Sequence, residues 1–310
     1  MTKQFKIALV KGIDEKLKVD TKYYVDSYHV NIFPEEMDVR FKDMFSRGSG
    51  NELLPKNGKK ENAAALYSSS MLAFNFFHWI NEKHPFKYEG VTYDKVVFEE
   101  QFRCLANRNN KANIDIVLIS DDNRTLLLLE SKFTEHFSNN SSYMKKIGPS
   151  YTNPKSYFCS GNSWAEIVGI YRKLASDSKK GYFDGIKQDI CHLISLNSLI
   201  ENQAARNWFN KESWIKKIYG IELNGNETFI FKNIVFTPKN NFKKEAAYTK
   251  TYKGLYSDFE VEVQGRGFLP TNLTFSMTTY GEMWKEFMPK LIWNESLKKY
   301  LQRRYLDLTV

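Results

Sequence analysis

The sequence predicts a mixed α/β fold in which helices cover a central sheet. Three strand-like segments follow one another closely in the middle of the chain, with helical segments before and after them. Two further strand-like segments alternate with helical segments towards the end. This order is typical of a sheet with helices on its faces.

Composition indicates an ordinary globular protein. The 310 residues include only 16 glycines and 8 prolines, and 15% of them are aromatic. Collagen-like, linker-like and disordered chains lack such apolar content and are excluded. The cysteines Cys104, Cys159 and Cys191 form no CxxC pair. We therefore expect small buried thiols in a reducing compartment, with no disulfide framework and no zinc site.

The N-terminal segment has only four consecutive apolar residues, Ile7 to Val10, before charged residues resume. That run is too short for a signal peptide or a membrane span. We therefore expect a cytoplasmic protein with no membrane partner.

The charge balance favours a polyanionic partner, because 45 Lys and Arg against 36 Asp and Glu give a formal charge of +9. A lysine-rich composition with solvated faces explains the excess equally well. The densest stretch, 238–253, holds five lysines among Phe242, Tyr248 and Tyr252. Lysines among aromatic rings suit a nucleic-acid strand, although a mobile basic loop would have the same composition.

The central elements have clear signals. Residues 61–80 show helical spacing of apolar side chains without glycine or proline, and the preceding sixty residues are hard to classify. The strand-like segments 95–105, 113–120 and 125–133 are joined by turn-forming residues, so they predict a three-stranded meander. The continuous apolar run 126–129 predicts a central strand covered on both faces.

The later elements follow a long polar connection, 134–162, of a kind that is usually functional or mobile. A capping-box pattern at 163–166 opens a predicted helix, and a second helix is expected over 184–200. The segments 229–236 and 272–280 predict two more strands, each followed by a helix.

The residues that indicate chemistry lie on the second and third strands of the meander. Asp115 is near the start of one strand, and Glu130 and Lys132 close the next. Side chains alternate along a strand, so Glu130 and Lys132 share a face while Ser131 points away. Two carboxylates, assisted by the carbonyl of Ser131, would suit Mg²⁺ or Mn²⁺ in phosphodiester hydrolysis. The Lys132 ammonium would orient the attacking water or stabilise negative charge.

A plain surface ion pair is the competing interpretation of this pattern. An acid two residues before a lysine occurs four times in the chain. Only the Glu130 pair ends an apolar strand that follows another strand bearing an acid. The placement, rather than the tripeptide, therefore favours a catalytic site.

Asp115 followed by Glu130-Ser131-Lys132 resembles the signature of the PD-(D/E)xK nucleases, the restriction-endonuclease-like superfamily. The resemblance implies that the carboxylates bind a metal and that the lysine completes the site. It also implies a core of one helix, a three-strand meander, a helix and a further strand. Ile114 occupies the position of the proline, which varies widely in the superfamily.

Gln188 and His192 resemble a Gln-xxx-Tyr motif that some superfamily members carry on the helix after the third strand. Histidine stands here in place of tyrosine. Gln188 would then position Lys132 or a phosphate. The resemblance implies a nuclease core over 61–205, an N-terminal extension over 1–60, and a C-terminal part over 206–310 that completes the sheet and the DNA groove.

Four glutamates are candidates for a further active-site acid. Glu99 and Glu100 lie on the first strand of the meander and face opposite sides, so one of them could approach the metal. Glu52 and Glu61 precede or open the first helix of the core. A loop glutamate, a strand-end glutamate and a helix N-terminal charge are the plain alternatives.

The resulting hypothesis is a Mg²⁺-dependent deoxyribonuclease of the restriction or defence type, in which Mn²⁺ substitutes for Mg²⁺ and a homodimer is an option. A catalytically weak nucleic-acid-binding module of the same fold is the alternative. An unrelated α/β protein with a surface ion pair is the third interpretation.

Overall fold

The computed structural model describes residues 1–13, 17–34, 37–46, 52–55, 60–106, 111–137, 151, 153–159, 161–177, 185–239 and 241–308. Its centre is a mixed sheet of six strands arranged in the order of the chain. The strands are β1 Phe86–Tyr88, β2 Val91–Arg103, β3 Lys111–Ser120, β4 Thr125–Lys132, β5 Thr228–Val235 and β6 Leu273–Thr279.

Strands β1 to β4 pair with one another in antiparallel fashion, β5 pairs in parallel with β4, and β6 pairs in parallel with β5. The meander predicted from the sequence is therefore present as β2, β3 and β4. Turn residues between β3 and β4 favour a direct reversal, whereas a parallel strand needs a longer crossover. Helices between β4 and β5 supply the first of these crossovers, and a long helix between β5 and β6 supplies the second.

Helices cover both faces of the sheet. They are α1 Lys3–Lys11, α2 Asp38–Phe45, α3 Ser69–Phe77, α4 Gly161–Asp177, α5 Gly185–Glu201, α6 Gln203–Glu212, α7 Trp214–Tyr219, α8 Lys243–Gly265, α9 Tyr280–Phe287 and α10 Glu295–Leu301. Buried side chains of α1, α2, α3, α9 and α10 belong to one core, and those of α4 to α7 belong to the other.

Strand β4 separates the two cores. Leu126 and Leu128 belong to the core beneath α5, and Leu127 and Leu129 belong to the core beneath α3. All four side chains are fully buried. The continuous apolar run therefore forms a central strand, as predicted.

Helix α3 is shorter than the helix predicted over 61–80. Asn62–Ala64 forms a separate 3₁₀ turn, and the Ser68 side chain caps α3 by accepting a hydrogen bond of 3.3 Å from the Met71 amide. Ser68 ends the irregular segment because a serine side chain satisfies an otherwise unpaired amide at a helix start. The short strand β1 and helices α1 and α2 were not predicted.

The lysine-rich stretch 238–253 is not a loop that exposes aromatic rings. Most of it forms the start of α8, and Phe242 and Tyr252 are each 2% exposed because they pack in the cores. These two rings cannot stack on bases from their present positions. Of the predicted connection 134–162, residues 138–150, 152 and 160 lie outside the described residues.

None of the helices in the described part of the chain combines the length and the apolar character needed to cross a membrane.

Candidate active site

The register between β3 and β4 brings Asp115 beside Glu130. Ile116 pairs with Leu129 in the antiparallel ladder, so Asp115 and Glu130 occupy the next opposed positions. The Ser131 amide donates a hydrogen bond of 2.7 Å to Asp115 Oδ2. This contact fixes the Asp115 carboxylate at the end of β4.

Glu130 and Lys132 face α5 on the same side of the sheet. Lys132 Nζ contacts Glu130 Oε1 and donates a hydrogen bond of 2.9 Å to Gln188 Oε1. His192 Nε2 lies 3.0 Å from Glu130 Oε2 and forms an ion pair when protonated. The fold therefore places Gln188 and His192, which are one turn apart on α5, over Glu130 and Lys132 of β4.

Ser131 points to the opposite face. Its hydroxyl lies 2.7 Å from the Tyr280 hydroxyl and donates a weaker hydrogen bond of 3.3 Å to the Ser69 carbonyl. Ser131 thus ties the site strand to α3 and α9. Its side chain is not directed at the carboxylates.

Glu99 interrupts the ladder between β2 and β3. Phe98 pairs with Ile116 and Glu100 pairs with Ile114, which leaves Glu99 opposite Asp115. Glu99 has φ +56°, an unfavourable conformation for a residue with a side chain. Such strain is concentrated at functional sites.

The strained residue also changes which side chains face each core. Val96 and Phe98 lie in the core beneath α3, but Phe102 lies in the core beneath α5, although all three positions have the same parity. The alternation of side chains between the two faces of the sheet is therefore shifted by one residue at Glu99. The shift permits Glu99 to lie near the site while Glu100 points towards α7.

The other candidate glutamates divide into two groups. Glu52 lies close enough for its charge to raise the pKa of Glu99, so it borders the site. Glu61 accepts a hydrogen bond of 3.2 Å from the Tyr28 amide, outside this cluster. Glu100 accepts hydrogen bonds from the Trp214 and Ile215 amides at the start of α7, where a negative charge is favourable.

The carboxylates of the site differ in their tendency to ionise. Burial and the neighbouring Glu130 charge raise the pKa of Asp115 well above its usual range. Burial, with the charge of Glu52, raises the pKa of Glu99 to about 8. Burial also opposes ionisation of Glu130, but Lys132 and His192 outweigh it and hold its pKa at about 2. Glu130 is therefore the ionised member of the group.

The two cations are stabilised in their charged forms. Burial opposes protonation of Lys132, but Glu130, Asp115 and Glu135 together raise its pKa. Burial also opposes protonation of His192, and Glu130 again outweighs it and raises the pKa. Lys132 is 4% exposed and His192 is 3% exposed, so water screens their interaction with Glu130 weakly.

Asp189 was not predicted from the sequence as a residue next to the site. Asp189, on α5, is fully buried and accepts a hydrogen bond of 2.8 Å from the Asn233 amide nitrogen. Asn233 lies on β5 beside Glu130 in the parallel ladder. Burial and the Glu130 charge raise the pKa of Asp189 to about 7. A sequence signal was the asparagine inside the mostly apolar segment FIFKNIVF.

Glu135 and His136, which follow β4, form hydrogen bonds with backbone groups near the end of the strand. Glu135 Oε2 accepts hydrogen bonds of 2.7 and 2.8 Å from the Phe133 and Thr134 amides. His136 Nε2 lies 3.1 Å from both the Phe236 carbonyl and the Thr249 hydroxyl. His136 thus joins the end of β4 to the residue after β5 and to α8.

The donor atoms are hard oxygens, which suit Mg²⁺ or Mn²⁺. Within the described residues, no group of three or more His, Cys, Asp or Glu side chains is arranged to hold a metal ion. Mg²⁺ sites commonly use only one or two carboxylates and retain several waters. Asp115 with Glu130 meets that smaller requirement, and the raised pKa of Asp115 reflects negative charge that a cation would offset.

Comparison with protein families identifies the chain. A family model described as "Restriction Endonuclease associating with ARP" matches residues 8–306. The chain belongs to this family. The match is consistent with the restriction-endonuclease-like superfamily that the Asp115 and Glu130-Ser131-Lys132 pattern resembles.

No curated protein matches the chain. No solved structure matches it either. Family membership supports a nuclease-like or defence role.

Proposed function

We propose that this protein is a metal-dependent endonuclease that hydrolyses phosphodiester bonds of DNA in restriction or defence. The observation that carries the proposal is the convergence of Asp115, Glu130 and Lys132 at one end of the sheet, beneath Gln188. Family membership supports the same reaction class.

Asp115 and Glu130 would hold Mg²⁺, for which Mn²⁺ would substitute, with the Ser131 carbonyl as a further ligand. When bound, the ion would lower the pKa of a water molecule and offset negative charge on the phosphate. Lys132 would orient the attacking water or stabilise the developing negative charge, because its contacts with Glu130 and Gln188 fix its position. Gln188 would act as the positioning residue for this lysine.

His192 extends the arrangement on α5. Its imidazolium form would balance the second oxygen of Glu130, which lies 3.0 Å away. Glu130 would then remain ionised in its buried position. Because Glu130 would stay ionised, we propose that it acts as a metal ligand and does not transfer a proton.

We further propose that the protein works with a partner of the kind that the family description names, ARP. A homodimer is a second proposal, since paired active sites would cut both strands of a duplex. Sedimentation of the protein alone and with the partner would distinguish these assemblies.

The test is cleavage of linear and circular DNA by the wild type and by the Asp115→Asn and Lys132→Met variants, each in Mg²⁺, Mn²⁺ or EDTA. We expect cleavage by the wild type only with metal, and a loss of roughly 100-fold or more in each variant. Cutting of the circular substrate would demonstrate endonuclease activity.

Asp121→Asn is the matched control, because Asp121 is an exposed acid in the turn between β3 and β4, at the opposite end of these strands from the site. It should cleave at the wild-type rate. Normal cleavage by Asp115→Asn would reject the site. DNA binding without cleavage by the wild type would instead favour the catalytically weak binding module.

A further inference from the structure

Two cysteines lie together beside the candidate active site. Cys104 follows β2 directly, and Cys191 is on α5 next to His192. Cys104 Sγ donates to the Cys191 carbonyl at 3.0 Å and lies 2.9 Å from the Ser195 hydroxyl. The end of β2 therefore contacts α5 through a thiol.

The side chains of Cys104 and Cys191 also interact with each other. This contact, followed by Tyr151 and by the positive charges of His192 and Lys187, lowers the pKa of Cys191 to about 7. The same contact raises the pKa of Cys104. Cys191 is therefore the thiol of the pair that forms the nucleophilic thiolate near neutral pH.

Accessibility assigns the same roles. Cys104 is 1% exposed, whereas the described part of the chain leaves Cys191 partly exposed. A partly exposed cysteine beside a buried one is the arrangement of a reacting cysteine with a resolving cysteine.

We propose that Cys191 and Cys104 form a thiol-modification site at which a peroxide oxidises the pair to a disulfide that joins α5 to the end of β2. This differs from the expectation of small buried thiols with no disulfide framework. Cys159, the third cysteine, contacts the Ile194 carbonyl at 4.0 Å, and burial raises its pKa to about 11, so it takes no part in the site.

The reaction balances with hydrogen peroxide as the oxidant. The Cys191 thiolate attacks one peroxide oxygen, the O–O bond breaks, and after proton transfer Cys191 is a sulfenic acid and one water is released. The Cys104 thiol then attacks the Cys191 sulfur, the S–O bond breaks, and a second water leaves. Two thiols lose two electrons in total, and the peroxide gains them.

Closure of the disulfide would shift α5. The sulfur atoms must approach to about 2.05 Å, which draws Cys191 towards the end of β2. Gln188 and His192 lie one turn before and one residue after Cys191, and they contact Lys132 and Glu130. This consequence rests on the proposed nuclease function. We expect oxidised protein to cleave DNA about tenfold more slowly, since small displacements of positioned groups reduce rates.

The test uses purified wild type and the Cys104→Ser, Cys191→Ser and Cys159→Ser variants, each treated with hydrogen peroxide. Remaining thiols are alkylated in denaturant, and peptides are analysed by mass spectrometry with and without reductant. We expect a linkage between the peptides of Cys104 and Cys191 in the wild type and in Cys159→Ser. Cys104→Ser should accumulate a sulfenic acid at Cys191 that dimedone traps.

Absence of the 104–191 linkage in the wild type, or equally fast oxidation of Cys159, would overturn the proposal. The mass readout does not depend on DNA cleavage, so it stands even if the protein is not a nuclease. If cleavage is measurable, unchanged activity of the fully disulfide-linked form would overturn the effect on the site and leave the modification site itself intact.

Discussion

Lys132 contacts groups from two elements, Glu130 on its own strand and Gln188 on α5. Removing such a buried cation leaves a buried carboxylate without its partner, a loss that commonly costs several kcal/mol. His192 would partly compensate, because it lies 3.0 Å from the other oxygen of Glu130. Loss of activity in a Lys132 variant should therefore be interpreted together with its stability.

His78, at the end of α3, is expected to make the protein sensitive to acid. It is 3% exposed, and burial lowers its pKa to about 4. The unfolded chain binds a proton near pH 6.5, so the stabilisation is present above that pH and is lost as pH falls towards 4. At pH 5 this single group should cost about 2 kcal/mol.

Urea unfolding at pH 7.5 and pH 5.0 checks this prediction. The His78→Leu variant should lose less stability between the two pH values than the wild type does. His29→Leu, which changes an exposed histidine, is the control and should retain the wild-type difference. An unchanged difference in His78→Leu would contradict the assignment.

Among the elements, the meander could be predicted because β3 and β4 carry continuous apolar runs joined by a turn. That register alone brings Asp115 next to Glu130. The positive φ of Glu99 could not be predicted, since it results from the pairing of β2 with β3 rather than from local preference. The same limit applies to Asp189, whose partner Asn233 is distant in sequence and is brought close by a parallel crossover.

Helix α3 shows why the first helix was predicted too long. Its apolar residues are buried on all sides, so periodic spacing did not mark where the helix begins. The Ser68 cap was the better signal, because its side chain bonds the Met71 amide. A capping side chain therefore predicts helix boundaries where a fully buried helix lacks an exposed face.

Helix α9 is expected to depend on its capping box. The Thr279 hydroxyl accepts a hydrogen bond of 3.0 Å from the Glu282 amide, and Glu282 accepts one of 2.8 Å from the Thr279 amide. Thr279→Ala should lower the free energy of unfolding by about 1 kcal/mol. Urea denaturation measures this, with Thr271→Ala at an exposed position as the control. Equal stability of the two variants would show that the cap contributes nothing.

At the scale of the whole molecule, the formal charge is +9. Part of this positive charge comes from exposed lysines on α8. Lys243, Lys244 and Lys250 are exposed, and none forms a salt bridge with a described residue. Exposed lysines of this kind can replace the counterions of a nucleic acid. The helix is therefore the predicted contact surface for DNA phosphates.

Changing these three lysines to glutamine should weaken binding of duplex DNA and reduce its salt dependence. Each lost phosphate contact lowers the slope of log K against log salt by about 0.9. Fluorescence anisotropy in EDTA at several salt concentrations measures that slope. The same charge change at Lys211, Lys216 and Lys217 is the control. Equal effects of the two triple variants would indicate net charge rather than contact through α8.

The order of the six strands in the sheet is also their order in the chain. Each strand can therefore join the free edge left by its predecessor as the polypeptide leaves the ribosome, with no need to insert between strands already paired. The local β2–β4 hairpins form quickly, whereas β5 must await a long helical crossover. The edge of β4 that later pairs with β5 would therefore stay open until residues 228–235 have been synthesised.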